Sequence, residues 1–297
     1  MKLVSYARGA NAHQAGILVE DSVYDLARLL RGTTYGVDDA TALTVRTVLD
    51  RFGDQLPELS AAVDQQLAAG SPTAVGSVDE VHLGPPVTDP AKVLCIGLNY
   101  ADHVGETGRA LPTHPDVFAK FASTLIGPAD DIACSSVSDK LDFEGEVGVV
   151  IGRRCRRVTE EQALDHVAGL TVVNDLTARD LQYNGTQWLP GKAVDGSTPC
   201  GPALVTLDEV GDVQNLQVST WVDGEQMQSS TTARMIFSVA AIVSYVSQFL
   251  ELSPGDIIAT GTPEGIGSKR TPPRWLAPGS TVEVRVQHVG SVRNTVR

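Results

Sequence analysis

Cysteine is scarce in this chain. Cys95, Cys134, Cys155 and Cys200 are the only four in 297 residues, and no two of them form a CxxC pair. That spacing gives no zinc-ribbon or disulfide framework, so reduced, packed thiols are expected. Long apolar runs are also missing. No stretch is apolar enough over sufficient length to span a bilayer. The opening Met1-Lys2-Leu3-Val4-Ser5-Tyr6-Ala7-Arg8-Gly9 lacks the apolar segment of a secretory signal, so a cytoplasmic protein is expected. Positive charge is in deficit, with 23 Lys and Arg against 36 Asp and Glu and a net charge of −13. Neither nucleic acid nor an anionic membrane is the expected partner of such a chain. An acidic small molecule would need a local cation to bind. There is no internal repeat and no low-complexity segment. Hydrophobic content of 42% and charged content of 20% are those of an ordinary globular protein.

Apolar periodicity predicts two parts. In residues 1–30, Gly16–Val19 and Ser22–Leu26 read as short strands. Residues 38–69 read as helical: Leu43, Val45, Val48, Leu49 and Phe52 recur near a 3.6 period, and the pattern resumes after Gly53. Gly70-Ser71-Pro72, Pro85-Pro86 and Pro90 read as a connector, which places a domain boundary near residue 88. The expected division is a small α+β domain over 1–88 and a catalytic domain over 89–297. Beyond Lys92 the texture is strand-rich, with candidates at 93–96, 146–151, 170–173, 216–222 and 282–286. Asp223-Gly224 is a hairpin turn signal. One apolar stripe, from Ile236 to Leu250, predicts a helix. Helices do not alternate regularly with strands, which argues against a doubly wound α/β sheet.

The segment Asp142-Phe143-Glu144-Gly145-Glu146-Val147-Gly148-Val149-Val150-Ile151 carries the strongest chemical signal. Alternate strand residues share a face, so Glu144 and Glu146 lie side by side, roughly 7 Å apart at Cα. Two like charges beside an apolar run are unfavourable unless something positive lies between them. A hard divalent cation fits carboxylate oxygens: Mg²⁺, Mn²⁺ or Ca²⁺. Asp175 follows Leu170-Thr171-Val172-Val173-Asn174 at a strand end and is a candidate third ligand. His103 and Glu106 are three residues apart, neighbours on a helical turn, where the carboxylate can orient the imidazole as a base. Lys192, flanked by Trp188, is a candidate anion contact. It does not belong to a phosphate loop, because GxxxxGK[ST] is not satisfied. In Thr260-Gly261-Thr262-Pro263-Glu264-Gly265-Ile266-Gly267, the backbone N–H groups and the Thr262 hydroxyl are placed to receive a carboxylate. The segment lacks the G-x-G-x-x-G pattern of dinucleotide binding.

Taken in order, G-L-N-Y-x-D-H-x-x-E, D-F-E-x-E-V-x-V-V-I-G, T-V-V-N-D-L-T-A-R-D-L-Q, Q-W-L-x-G-K and T-G-T-P-E-G-I-G resemble the fumarylacetoacetate hydrolase family over about residues 92–297. The resemblance implies an α+β, mainly β fold: a mixed, mostly antiparallel β-roll, in a homodimer. It implies Mg²⁺ or Mn²⁺ on Glu144, Glu146 and Asp175, leaving Asp142 a supporting carboxylate. His103 and Glu106 match the dyad that activates water. Lys192 and Thr262, with Gly261 beside it, match positions that hold an oxo acid. Lys120 matches a position near the substrate, and Arg109 falls in a lid segment. Val194 and Gly196-Ser197-Thr198 are smaller than the residues relatives often carry there. The expected reaction is hydrolysis of a carbon–carbon bond in a 2,4-dioxo acid such as an acylpyruvate. The alternatives are an oxaloacetate-type decarboxylase, an isomerase of 2-oxo-diene acids, or a metal-dependent binding module without turnover.

Overall fold

A computed structural model describes residues 1–9, 12–36, 43–70, 73–133 and 136–297. Residues 38–42 of the expected helical stretch, Ser71 and Pro72 of the connector, and Cys134 lie outside the described residues.

The chain begins with three antiparallel strands, β1 (Lys2–Ala7), β2 (Gln14–Val19) and β3 (Ser22–Asp25). A single helical turn, Leu26–Leu29, and two longer helices follow, α1 (Val45–Phe52) and α2 (Leu56–Ala68). Thr44 caps α1 reciprocally: its hydroxyl accepts from the Thr47 N–H at 3.2 Å, and its own N–H donates to Thr47 Oγ1 at 2.8 Å. The helical pattern breaks at Gly53 because the chain there lies against Gly152. A Cβ on Gly53 would fall 2.0 Å from the Gly152 carbonyl oxygen. The stretch expected as a connector contains two short strands, Gly76–Ser77 and His82–Leu83, which pair with β3 and β1.

Next come β4 (Val93–Gly97), α3 (Ala101–Thr107), β5 (Asp116–Lys120), β6 (Gly145–Ile151) and β7 (Val167–Asn174). Two single-turn helices, α4 (Arg179–Gln182) and α5 (Leu189–Lys192), lead into β8 (Thr198–Thr206). The remainder is β9 (Gln217–Val222), β10 (Glu225–Thr231), α6 (Val239–Phe249), β11 (Ile257–Ala259), β12 (Thr281–Val286) and β13 (Gly290–Thr295).

The largest sheet among the described residues has 12 strands. Its main path runs β3-β2-β1-β8-β7-β6-β11-β4-β5. The pairs are antiparallel except β11 with β4, and Leu125–Ile126 with β8. Every residue of β6 and β7 is buried. Unbroken Val-rich runs, rather than alternation, suit strands covered on both faces. A four-stranded antiparallel sheet, β10-β9-β12-β13, covers one face and shares a core with β6 and β7 through Val147, Leu170, Val218, Val284 and Val292. Its hairpin turns at Asp223 and Gly224, both at positive φ, as a two-residue turn requires. This is the mainly β, mixed roll expected.

Residues 1–88 do not stand apart from it. β1 pairs with β8, Lys2 opposite Val205 and Leu3 opposite Leu204. Leu3, Ile17, Leu29, Val48 and Leu59 share one apolar cluster with Val150, Val173, Leu204 and Ile257. Among the described residues, no helix is long and apolar enough to cross a membrane.

Candidate active site

β6 and β7 are antiparallel neighbours, with Gly145 opposite Asn174. The start of one and the end of the other therefore meet. Glu144 precedes β6, Glu146 is its second residue, and Asp175 is the first residue past β7. The Asp175 N–H donates to the Glu144 carbonyl at 2.9 Å, and Asn174 Oδ1 accepts the Glu144 N–H at 3.0 Å. All three carboxylates are buried, and one oxygen from each lies within 4.8 Å of the others. Gly145 separates the two glutamates because the second sheet leaves no room for more: a Cβ there would lie 2.2 Å from Thr220 Oγ1.

Burying carboxylates so close together requires compensation. Lys192 Nζ donates to Glu144 Oε2 and Asp175 Oδ2, 2.7 Å each. Arg179 donates from Nη2 to Glu144 Oε1 at 2.6 Å and from Nε to Asp142 Oδ2 at 2.8 Å. Asp142 also accepts the N–H groups of Phe143, Gly267 and Ser268. Its oxygens are thus committed to support. Burial pushes the Glu144 carboxyl up, but Lys192 and Arg179 outweigh it and bring the pKa down to about 2. Burial likewise works against the Lys192 charge, while Asp175 and Glu144 prevail and raise its pKa.

Glu146 differs. Among the described residues its one hydrogen-bond partner is the Gly261 N–H, at 2.7 Å on Oε2. Among the described residues, no Lys, Arg or His lies within ion-pairing distance of it. Burial first, then Asp175 and Glu144, hold its pKa well above the usual carboxylate range. Four carboxylates (Asp142, Glu144, Glu146 and Asp175) face three cations (Lys120, Arg179 and Lys192), leaving the cluster one positive charge short. A hard divalent cation fits this donor set: three converging buried oxygens, with one carboxylate lacking a counter-charge. Burial strongly raises the thiol pKa of nearby Cys95.

His103 lies on α3, which ends at Gly108 in the left-handed conformation, φ 71°. Its Nδ1 is 2.6 Å from Glu106 Oε1. Glu106 Oε2 accepts the Gly265 N–H at 3.1 Å, which ties α3 to the glycine-rich segment. At the start of the helix, Asn99 donates to the carbonyls of Phe237 and Thr260 and accepts the Phe237 N–H. The helix that carries His103 is therefore held at both ends.

A cavity of about 260 Å³ joins these parts. Among the expected site residues, His103, Glu144, Glu146, Lys192, Thr262 and Arg109 line it. Asp175 lies beneath, against Lys192. Lys120, read as substrate-side, is instead placed behind Asp175: its buried ammonium donates to Asp175 Oδ1 at 2.7 Å and to the carbonyls of Leu176 and Ser197 at 3.3 Å. The Gly261 N–H is taken by Glu146. The Thr262 hydroxyl donates to the Gly145 carbonyl at 3.0 Å and accepts from Gln228 Nε2 at 2.8 Å. Its proton is therefore engaged within the fold.

Sequence reading did not single out Arg179, Gln182, Tyr183 or Lys269, which also line the cavity. A signal for Arg179 existed. Four carboxylates destined for burial call for a guanidinium, and Arg179 follows Asp175 by four residues. Trp188 forms part of the wall. Its ring packs against Gly97, where a Cβ would come within 2.6 Å, and Arg109 lies over it at 5.4 Å from the ring centre.

Residues 92–297 match the family model for the fumarylacetoacetate (FAA) hydrolase C-terminal domain. The chain belongs to the fumarylacetoacetate hydrolase family and is an enzyme of that family. It is 43% identical over 269 residues to oxaloacetate tautomerase FAHD2A, mitochondrial, of Bos taurus, across 89% of this chain and 85% of that protein. Fumarylacetoacetate hydrolase from psychrophilic Exiguobacterium antarcticum matches over 100% of this chain and 99% of its own, with TM-score 0.81 and 32% identity. Maleylpyruvate hydrolase from Sphingobium sp. SYK-6, solved in complex with manganese(II) ion and pyruvate, matches over 100% and 98%, with TM-score 0.78 and 26% identity.

Proposed function

We propose that this enzyme interconverts the keto and enol forms of oxaloacetate or a close 2-oxo dicarboxylate, with a divalent cation held by Glu144, Glu146 and Asp175. The likeness to the bovine oxaloacetate tautomerase, across 89% of the chain, carries the reading. It favours the oxaloacetate alternative over the carbon–carbon hydrolysis that was the leading expectation. The cavity supports it: about 260 Å³ lies below the usual range for ligand pockets and suits a four-carbon acid.

The chemistry follows from the dyad. Glu106 accepts at His103 Nδ1, so the ring proton sits there and the Nε2 lone pair is left as the base. Nε2 takes a proton from C3 of the oxo acid, and the C–H electron pair becomes the enolate π bond. The Nε2–H of the imidazolium then returns that proton to the 2-oxo oxygen to give the enol and restore the neutral ring, and the reverse sequence ketonises it. Glu106 stabilises the imidazolium that forms in between. A bound divalent cation supplies electrostatic stabilisation of the charge growing on the 2-oxo oxygen. Lys192 and Arg179 keep Glu144 ionised and fixed in direction, and Lys120 fixes the direction of Asp175. The homodimer implied by the family resemblance is part of this proposal.

Hydrolysis is the second reading, favoured by the intact base-and-orienter pair, because the same Nε2 can take a proton from water. Ultraviolet absorbance of enol-oxaloacetate separates the two. Ketonisation is expected to run well above the buffer rate with Mg²⁺ or Mn²⁺ present, to stop with EDTA and to return when metal is restored. Metal-dependent cleavage of acetylpyruvate, with oxaloacetate ketonisation at background, would overturn the reading in favour of hydrolysis.

A further inference from the structure

The charges around the cavity divide into a floor and a rim. With a divalent cation added, the floor changes from one charge negative to one positive. That balances one carboxylate, the 2-oxo-acid end of a substrate. Arg179 and Lys192 are already committed to Asp142, Glu144 and Asp175. A second carboxylate on the substrate therefore finds no free cation on the floor.

Two further cations line the cavity, Lys269 and Arg109. Among the described residues, neither has a carboxylate within ion-pairing distance. Arg109 is exposed and its guanidinium stacks on Trp188. Lys269 ends the short turn Gly267–Lys269, and the backbone of that turn is held firmly. Gly267 and Ser268 donate their N–H groups to Asp142 at 2.7 and 3.0 Å, and the Arg274 N–H donates to the Gly267 carbonyl at 2.9 Å. Gly267 admits no side chain, since a Cβ would lie 2.0 Å from the Arg274 carbonyl oxygen. The same Asp142 holds Arg179, which holds Glu144. The backbone of Lys269 is thus fixed relative to the carboxylate cluster, one residue away from the Asp142 clamp.

We propose that Lys269 is the specificity residue that receives the distal carboxylate of a 2-oxo dicarboxylate, with Arg109 as its companion at the rim. The inference rests on the oxo-acid reading above. Lys269 is exposed at the rim and lines the cavity, and its chemistry is a charge-assisted hydrogen bond from a lysine to a carboxylate.

Equilibrium binding tests it without turnover. Trp188 lines the cavity, so tryptophan fluorescence reports ligand entry in Mg²⁺ buffer. The wild type is expected to bind oxaloacetate about tenfold or more tightly than pyruvate, which lacks the second carboxylate. Lys269→Met is expected to remove that preference and leave the pyruvate Kd unchanged, and Lys269→Arg to retain it. An unchanged ratio in Lys269→Met, equal weakening of both ligands, or no preference in the wild type would each overturn the assignment. Failure of the tautomerase reading looks different: the preference and its dependence on Lys269 persist while oxaloacetate ketonisation stays at the buffer rate.

Discussion

Replacing His103 with alanine is expected to lower oxaloacetate ketonisation by about 10²–10⁴-fold, the usual contribution of a positioned general base. Metal affinity is expected to stay as in the wild type, because His103 is not part of the carboxylate triad. The fold should also hold, since the Asn99 contacts that start α3 do not involve the imidazole. Steady-state rates with the enol substrate, paired with Mn²⁺ titration of the same sample, check both halves. Loss of metal binding in His103→Ala would contradict the division of roles. So would a rate within threefold of wild type.

Arg179→Met is expected to destabilise the protein by about 3–5 kcal/mol, the cost of leaving a buried ion without its partner. Among the described residues, the guanidinium is the one side chain that joins Asp142 to Glu144, at 2.8 and 2.6 Å. Asp142 would keep its three backbone N–H donors, and Glu144 would keep Lys192. Both would lose the charge-assisted bonds that offset their burial. Urea unfolding measures the change, and Arg179→Lys serves as the control. The guanidinium makes a third bond, from Nη1 to Gln182 Oε1 at 3.1 Å, and a single ammonium cannot reproduce three bonds in a planar fork, so lysine should recover only part of the loss. A loss below about 1 kcal/mol, the scale of an exposed pair, would show that the carboxylate cluster is more hydrated than its burial implies.

The two halves of the site differ in how much the sequence disclosed. Glu144 and Glu146 were legible because period 2 places them on one face and the apolar run after them predicts burial. Asp175 was legible because a carboxylate just past a Val-rich strand is displayed at its end. The His103–Glu106 spacing is local to one helical turn. Arg179 and Lys269 carry no periodic signature. Arg179 acquires its place through a long-range contact with Asp142, and Lys269 through the turn whose Gly267 and Ser268 N–H groups bind Asp142, contacts absent from any local window. Lys120 shows the same limit in reverse: its position matched a substrate-side residue, but the fold turns its ammonium onto Asp175.

The fold divides similarly. β4, β6, β7, β9, β12 and α6 follow apolar runs or stripes. β8 has no strand candidate in the sequence, and it contains Pro199, Gly201 and Pro202, residues that interrupt a strand pattern. The strand tolerates Pro202 because its pairing with β7 shifts register between Leu170 and Val172, where a ladder hydrogen bond is not needed. β13 was hidden by polarity, since Val292 and Asn294 are its only buried positions. Residues 1–88 read as a separate unit because Gly70-Ser71-Pro72, Pro85-Pro86 and Pro90 read as a connector. The pairing of β1 with β8 joins residues some 200 apart, and such pairing leaves no trace in local pattern.

The central claim is that Glu144, Glu146 and Asp175 hold a divalent cation. Glu146→Gln tests it most directly. The amide keeps an oxygen for the Gly261 N–H and removes a buried charge that has no counter-ion among the described residues, so folding should be spared. Mn²⁺ titration by calorimetry is the measurement. One site per chain is expected in the wild type, and Glu146→Gln is expected to weaken it by about 100-fold or more, beyond the effect of losing a supporting contact. Equal Mn²⁺ affinity in the two proteins would contradict the assignment.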